Sequence, residues 1–299
     1  MENEVMEASS EMQAAARECA AGEKAQPGAC EKAQPAAGEY AASKKAQPAT
    51  REYAERLVDE NASSAGAPAG TDSDEACGNE GLAALLAQQA AGYELLGRLF
   101  QREVDAELLK SLCEGRYPAH AGNDHLDEGY RGLVVFLNHR GERTGAELNV
   151  DYLRVFIGNT QDTSHVAYPY ESVYTSPDRL LMQDARDAVL AAYRSEMVKL
   201  VNEHNEPEDH MGVELAFCAV LLNRAAEALA GGDTARAVEL VGKERAFVRD
   251  HLGVWAPEFA DDVKRIAQTG FYRALVDVLL GYLEVDVATM EALAADLGE

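Results

Sequence analysis

Basic residues are scarce in this chain of 299 residues, in which 27 lysines and arginines face 52 aspartates and glutamates. The formal net charge at pH 7 is therefore −25. Such a surface repels phosphate backbones and anionic headgroups, which excludes nucleic acid and anionic membranes as general partners. A cationic partner is favoured instead, although acidic surfaces also serve solubility.

Cysteine pairs and long apolar runs are missing as well. The cysteines are odd in number and have no Cys-x-x-Cys spacing; they are Cys19, Cys30, Cys77, Cys113 and Cys218. This pattern argues against a disulfide framework or a zinc ribbon and favours a reducing cytoplasm. The longest uncharged apolar-rich run, residues 81–93, is too short to span a bilayer, and the acidic N-terminus does not resemble a secretory signal. We therefore expect a cytoplasmic protein without membrane insertion.

Common enzyme signatures do not occur either. GxGxxG, GxSxG and HExxH are absent, and a Walker loop ending at Gly242-Lys243 would place its first glycine at Ala237. No histidine has a glutamate three residues before it, as a carboxylate di-iron bundle requires. These absences make an enzyme less expected, and no catalytic residue, resident metal or cofactor is predicted.

The first 79 residues differ in composition from the rest. They contain only two of the 19 tyrosines and phenylalanines, and the tetrapeptide Lys-Ala-Gln-Pro begins at Lys24, Lys32 and Lys45. Such a segment buries too little apolar surface to offset its conformational entropy, so we expect residues 1–79 to be a low-complexity, disordered extension. It is either a partner-binding arm or a variable extension without a role.

Residues 80–299 show a helical period almost throughout. Within residues 82–100 and 215–229, apolar side chains recur at intervals typical of helices that face a core. Further helices are predicted at roughly 105–114, 124–140, 145–157, 178–202, 233–252, 257–282 and 286–297. The one long non-helical stretch is residues 158–177, where glycine, asparagine and proline break the pattern. The sequence therefore predicts a single all-α globular domain of about eight to ten helices.

The densest polar cluster occupies residues 203–210, directly before an apolar helical segment. Pro207 suits the first turn of that helix, with Asn205 or Glu206 near its cap. The acids that follow Pro207 would then face the positive end of the helix dipole. On this interpretation the cluster is helix-start chemistry and nothing more.

A metal site is the alternative interpretation of the same cluster. His210, Glu214 and Cys218 follow at intervals of four residues, on one helix face that would run from solvent toward the core. Asp209, His210 and Glu214 could then serve as ligands in a small helical metalloprotein or metalloenzyme. Acid-rich helix starts are common, and no second ligand cluster is evident.

A second group of candidate residues is aromatic. Tyr152 and Phe156 lie near the end of a predicted helix, and residues 168–174 of the following loop contain three tyrosines and a proline. Aromatic residues and prolines in a loop present a rigid, partly apolar surface suited to an extended or helical peptide. Alternatively, these side chains fold back and pack in the core.

Together these segments resemble the TorD/DmsD/NarJ family of redox-enzyme maturation chaperones, closest to its TorD/DmsD branch. Four matches agree in order and spacing over roughly residues 82–283: Tyr152-x-x-Val155-Phe156-x-Gly158; Pro169-Tyr170-Glu171-Ser172-Val173-Tyr174; Glu206-Pro207-x-Asp209-His210 followed by Glu214-Leu215-x-Phe217; and Phe247 with His251-Leu252 and Trp255-Ala256-Pro257. The chain has Gly158-Asn159 where relatives often have Gly-Pro, and Tyr168-Pro169 where they have a double proline. These departures bear on which cargo peptide the loop accepts.

The resemblance implies a non-catalytic, all-helical, cytoplasmic chaperone. Such proteins bind the twin-arginine signal peptide of a molybdopterin oxidoreductase, hold back its export and assist cofactor insertion. Some relatives bind GTP weakly, but no phosphate loop is present here and no nucleotide cofactor is predicted. A monomer and a homodimer are both compatible with the sequence. By matching position, the signal-peptide-binding residues are expected to be Tyr152, Phe156, Gly158, Pro169, Tyr170, Ser172, Glu206, Pro207, Asp209 and His210.

The binding hypothesis assigns each part of the peptide to a part of the site. The peptide would carry an arginine pair followed by an apolar stretch. Asp209, with Glu206 or Glu208 nearby, would make charge-assisted hydrogen bonds to the guanidinium groups. The apolar stretch would be covered by aromatic side chains, namely Tyr152, Phe156 and Tyr170.

Overall fold

The computed structural model describes residues 71–158, 166–199 and 206–297. Within these ranges the chain consists of helices and their connections, with no strand, which confirms the predicted all-α fold. The helices are α1 (Thr71–Gln101), α2 (Ala106–Glu114), α3 (Asp124–Asn138), α4 (Thr144–Tyr152), α5 (Glu171–Thr175), α6 (Asp184–Ser195), α7 (Met211–Ala230), α8 (Thr234–Phe247), α9 (Gly253–Ile266) and α10 (Gly270–Leu297). The three Lys-Ala-Gln-Pro repeats lie outside the described residues, so the predicted disorder there stays a prediction.

Side-chain caps set several of the helix starts. Asp105 accepts a hydrogen bond from the Leu108 N–H (2.8 Å), and Asn123 accepts one from the Leu126 N–H (3.0 Å). A cap of this kind satisfies one of the amide groups that the first helical turn leaves unpaired. The predicted starts near residues 105 and 124 are accordingly correct to within one residue.

The helix that follows the long loop is shorter than predicted. The sequence pattern predicts a helix over residues 178–202, whereas α6 covers Asp184–Ser195. Arg179 and Met182 have positive φ angles of 52° and 58°, a backbone conformation that a right-handed helix does not contain. The residues before Asp184 therefore form a loop.

The C-terminal helices also divide at a different place. A break is predicted between residues 282 and 286, but α10 runs through it, and the chain breaks at residues 267–269 instead. There the buried carboxylate of Asp151, on α4, accepts hydrogen bonds from the Thr269 N–H and the Thr269 hydroxyl, both at 2.7 Å, and from the Gln268 N–H. A residue far away in sequence therefore holds the turn that precedes α10, and local periodicity does not reveal it.

The core is formed where α7 packs along α1 and α8, and α10 packs along α3. Gly97 of α1 and Gly212 of α7 allow a close approach, because a Cβ at Gly212 would lie 2.6 Å from the Gly97 carbonyl oxygen. Two five-residue π-helical segments, Leu153–Ile157 and Val248–Leu252, follow α4 and α8 directly. No helix in the described part of the chain is long and apolar enough to cross a membrane.

Candidate functional site

The candidate site is the place where the loop before α5 meets the turn before α7. Tyr170 and His210 form an isolated antiparallel bridge between these two segments. Two backbone hydrogen bonds flank it, from the Glu171 N–H to the Asp209 carbonyl (2.9 Å) and from the Met211 N–H to the Pro169 carbonyl (2.8 Å). The two motifs singled out in the sequence are therefore joined in space, about 40 residues apart along the chain.

The side chain of Asp209 joins the two segments through hydrogen bonds to Ser172. Its Oδ2 atom accepts hydrogen bonds from the Ser172 N–H (2.9 Å) and the Ser172 hydroxyl (2.5 Å), and both residues are fully buried. The Ser172 Oγ also accepts a hydrogen bond from the Gln183 N–H (3.1 Å). Asp209 Oδ1 is buried and has no hydrogen-bond partner among the described residues. We call the Asp209–Ser172 pair the clamp.

The helix after the polar cluster begins later than predicted. The sequence pattern places Pro207 in its first turn, but α7 begins at Met211 with His210 as the N-cap. The His210 Nδ1 atom accepts a hydrogen bond from the Gly212 N–H (3.0 Å), and the His210 N–H donates to the Pro207 carbonyl (3.2 Å). Pro207 therefore lies in the preceding turn, because the ring nitrogen supplies the cap that the sequence pattern assigns to an upstream asparagine or glutamate.

Burial changes the chemistry of the residues on the first turns of α7. His210, Glu214 and Cys218 do share one helix face, but all three are buried, so this face does not run from solvent inward. Burial lowers the pKa of His210 to about 4, which keeps the ring neutral at pH 7. A neutral ring is required for Nδ1 to act as the acceptor of the cap.

Tyr170 and Glu206 form the accessible edge of the site. Both side chains are half-buried, and the Tyr170 hydroxyl donates a hydrogen bond of 2.5 Å to the Glu206 carboxylate. Burial, followed by this hydrogen bond and the Glu206 charge, raises the pKa of Tyr170, so its hydroxyl remains a donor. The Tyr170 ring packs edge-on against His210 with the centroids 5.1 Å apart. We call the Tyr170–Glu206 pair the rim.

Tyr152 and Phe156 lie beneath this surface rather than on it. Their side chains are only 4% and 2% exposed, and the Tyr152 hydroxyl donates to the Phe100 carbonyl (3.1 Å). The Phe156 ring lies 5.5–6.1 Å from the rings of Tyr272, Phe100 and Phe259, which is the range of packed aromatic pairs. Tyr152 and Phe156 therefore pack in the core, as the second interpretation of these aromatic residues expects.

Gly158 ends the π-helical segment that carries Phe156. Its φ and ψ of 79° and 179° belong to a region of backbone conformation that is almost restricted to glycine. A Cβ at this position would lie 2.4 Å from Cγ2 of Val166, eight residues further along the chain. The Val155 carbonyl accepts a hydrogen bond from the Ala167 N–H (2.8 Å), so the two segments of the chain are held together at this point.

Replacing Gly158 with alanine should lower the free energy of unfolding by about 2 kcal/mol, because the new side chain forces both backbone strain and a clash with Val166. Thermal unfolding followed by circular dichroism measures the effect as a lower Tm. Gly141→Ala is the matched control, since a Cβ there meets nothing within 4 Å. Equal Tm values for the two variants would contradict the assigned role of Gly158.

Behind the clamp lies a buried hydrogen-bonded layer that the sequence analysis did not assign to the site. The Glu171 carboxylate accepts a hydrogen bond from Nδ1 of His251 (2.9 Å), and the Trp255 indole N–H donates to Glu214 (3.2 Å). Burial, with the neighbouring Glu171 charge, raises the pKa of Glu214 well above its ordinary value and favours the protonated acid. His251 and Trp255 are four residues apart, about one helical turn. This spacing is the sequence signal that predicts both side chains on one helix face.

The residues proposed as metal ligands are used in separate hydrogen bonds. Asp209 binds Ser172, His210 caps α7, and Glu214 accepts from Trp255. Across residues 71–158, 166–199 and 206–297, no group of three or more histidine, cysteine, aspartate or glutamate side chains is arranged to hold a metal ion. This part of the structure therefore gives the metalloprotein alternative no support.

The ten residues expected to bind the peptide thus fall into two sets. The buried set lies in or beneath the clamp and comprises Tyr152, Phe156, Pro169, Ser172, Asp209 and His210. The half-buried set lies at the surface and comprises Gly158, Tyr170, Glu206 and Pro207. The structure brings Tyr170, Glu206, Asp209, Ser172 and His210 into one site.

The fold and the site together define an all-helical protein with a buried polar junction next to a half-buried acidic and aromatic pair. A family model described as nitrate reductase delta subunit matches residues 123–261. The chaperone protein TorD of Photobacterium profundum is 30% identical over 161 residues, which cover 54% of this chain and 71% of that relative. TorD of Aliivibrio salmonicida is 29% identical over 210 residues, which cover 67% of this chain and 93% of the relative. The chain therefore belongs to the TorD/DmsD/NarJ family of molybdoenzyme maturation chaperones, a family that is not catalytic.

Proposed function

We propose that this chain is a cytoplasmic chaperone that binds the twin-arginine signal peptide of a molybdopterin oxidoreductase. On this proposal it also contacts the body of the enzyme and holds the precursor back from export while the cofactor is inserted. Family membership supports the cargo class, and the charge of −25 supports a cationic ligand. Of this charge, −9 belongs to residues 1–80, so the helical body remains strongly acidic.

The observation that carries the proposal is the rim. Glu206 presents a carboxylate at the surface, and its bond to Tyr170 fixes it beside an aromatic ring. A carboxylate has several acceptor positions, so Glu206 can bind Tyr170 and a peptide guanidinium together. An arginine side chain also stacks favourably on an aromatic face, which Tyr170 supplies.

The buried residues have a different part in the proposal. Asp209, Ser172 and His210 hold the two segments in register, so that Tyr170 and Glu206 meet. Oδ1 of Asp209, which has no hydrogen-bond partner among the described residues, adds negative potential three residues along the chain from Glu206. Tyr152 and Phe156 support this arrangement from the core.

Removing either rim side chain should weaken peptide binding. We expect Glu206→Gln to raise the Kd about fivefold, since one partly exposed charge pair is lost, and Tyr170→Ala to raise it about tenfold or more. Fluorescence anisotropy with a labelled synthetic peptide containing an arginine pair measures both. Far-ultraviolet circular dichroism should be unchanged in both variants.

Glu208→Gln is the matched control, because Glu208 is two residues from Glu206 and its carboxylate forms an ion pair with Arg186 on α6 (2.5 Å). Its effect on Kd should be less than about twofold, and the wild-type affinity should fall as salt rises. Unaltered affinity in Glu206→Gln and Tyr170→Ala would show that the peptide binds elsewhere.

A further inference from the structure

Three consecutive large apolar side chains are exposed in the loop between α5 and α6. Leu180, Leu181 and Met182 are 54%, 43% and 61% exposed. A run of exposed apolar side chains lowers the solubility of a protein and marks either an interaction site or a site prone to aggregation. We call these three residues the apolar loop.

The backbone holds the apolar loop in an outward position. Arg179, which directly precedes the apolar loop, and Met182, its last residue, both have positive φ angles. Each such angle costs roughly 1–2 kcal/mol for a residue with a side chain. The Ser176 hydroxyl oxygen accepts a hydrogen bond from the Leu180 N–H (3.1 Å). The exposed conformation of the apolar loop is therefore held by its backbone geometry and by the hydrogen bond to Ser176.

Arg179 attaches the start of the apolar loop to α9. Its guanidinium forms ion pairs with Glu258 (2.6 Å) and Asp262 (3.1 Å), and it lies 4.9 Å above the ring of Tyr174. Tyr174 in turn stacks on the buried Trp255 with the ring centroids 5.5 Å apart. This end of the loop is thus fixed to the layer behind the clamp.

The other end of the apolar loop is attached to the clamp itself. The Gln183 N–H donates to the Ser172 Oγ, and the same hydroxyl group donates to Asp209. Along the chain, Tyr170 of the rim and the apolar loop are separated by α5, which is about 7.5 Å long, and by residues 176–179.

The surroundings of the apolar loop carry a small net negative charge. Residues 178–187 contain three aspartates and two arginines, and residues 254–265 contain three acids and two bases. Asp178 and Asp184, on either side of the apolar loop, are both exposed. An apolar tip within a surface of net negative charge is complementary to a peptide in which cations precede an apolar stretch.

We propose that the apolar loop binds the apolar stretch that follows the arginine pair of the cargo peptide, while the rim binds the arginines. This inference rests on the proposed function and assigns the second half of the peptide to a surface of its own. It also replaces the role first given to Tyr152 and Phe156, whose side chains lie in the core. The peptide would then run from Glu206 past α5 to Leu180–Met182.

Two synthetic peptides test the assignment with the full-length protein. The long peptide has an arginine pair followed by about ten leucine and alanine residues, roughly 15 Å when helical, and the short peptide ends after the arginine pair. The variant combines Leu180→Ser, Leu181→Ser and Met182→Asn, asparagine being tolerated at positive φ. We expect the variant to bind the long peptide about ten- to a hundredfold more weakly than the wild type, and the short peptide equally well.

Val135→Ser and Val150→Ser are the controls, because these valines are 54% and 55% exposed and lie on α3 and α4, outside the apolar loop. Neither should change the affinity for the long peptide. Equal affinity of the loop variant and the wild type for the long peptide would overturn the inference and leave the rim proposal standing. Failure of the wild type to bind either peptide would instead overturn the proposed function. A loop variant that loses only self-association would identify a second copy as the occupant and likewise overturn the inference.

Discussion

Replacing Asp209 with alanine is expected to lower the free energy of unfolding by about 3 kcal/mol and to abolish peptide binding. The substitution leaves the buried N–H and hydroxyl of Ser172 without their acceptor, and each unsatisfied buried group costs about 1–3 kcal/mol. Loss of the clamp also frees Tyr170 from the register in which it meets Glu206. Urea unfolding followed by circular dichroism gives the first quantity, and peptide anisotropy gives the second.

Two neighbouring substitutions separate the structural part of this effect from the electrostatic part. Asp209→Asn keeps an oxygen that can accept from Ser172 but removes the carboxylate charge, so it should weaken binding with a smaller loss of stability. Glu208→Ala removes a half-buried partner of Arg186 and should cost less than about 1 kcal/mol. A loss of stability in Asp209→Ala no larger than that in Glu208→Ala would mean that the clamp does not join the two segments.

The fold was predictable because its determinants are local. Apolar periodicity and polar caps such as Asp105 and Asn123 recur in the sequence at the positions where helices begin. The boundaries that were missed depend on distant residues. Asp151 holds the turn before α10 from more than one hundred residues away, and the loop before α6 is held by Ser172.

The sequence predicts the candidate site as a list of residues but not as an arrangement. The motif containing Asp209 and His210 indicates acidic chemistry, and an exposed anion was the natural expectation for a cationic ligand. The start of α7 at Met211 instead places His210 at the cap and Asp209 in the interior. A four-residue shift of the helix start therefore moves Asp209 from an expected surface position into the interior.

If the rim and the apolar loop bind the cargo peptide as proposed, their arrangement accounts for the specificity of a small surface. The rim and the apolar loop are each anchored to Ser172 or its immediate neighbours, so their separation is set by hydrogen bonds rather than by flexible chain. A peptide that must place cations and an apolar stretch at a fixed spacing is then selected by that distance. Preorganisation of this kind reduces the entropy lost on binding.

Acidification should destabilise the protein through His210. Its folded pKa of about 4 lies below the ordinary value of 6.5, so the neutral ring is favoured by folding. The stability from this group is fully present above pH 6.5 and is lost as the pH falls from 6.5 toward 4. A shift of this size corresponds to about 3 kcal/mol between pH 7 and pH 4. Protonation of Nδ1 also removes the acceptor that caps α7.

His210→Asn isolates this contribution, because asparagine is a strong N-cap that does not titrate. Glu214, Glu244 and Asp286 have pKa values raised first by burial, so their own contributions grow on acidification and oppose that of His210. Comparing the variant with the wild type in urea at each pH cancels those terms. The variant should lose about 3 kcal/mol less than the wild type between pH 7 and pH 4. Equal losses would show that His210 has the same pKa in the folded and unfolded chains. That result would contradict the lowered pKa assigned to the buried ring at the cap of α7.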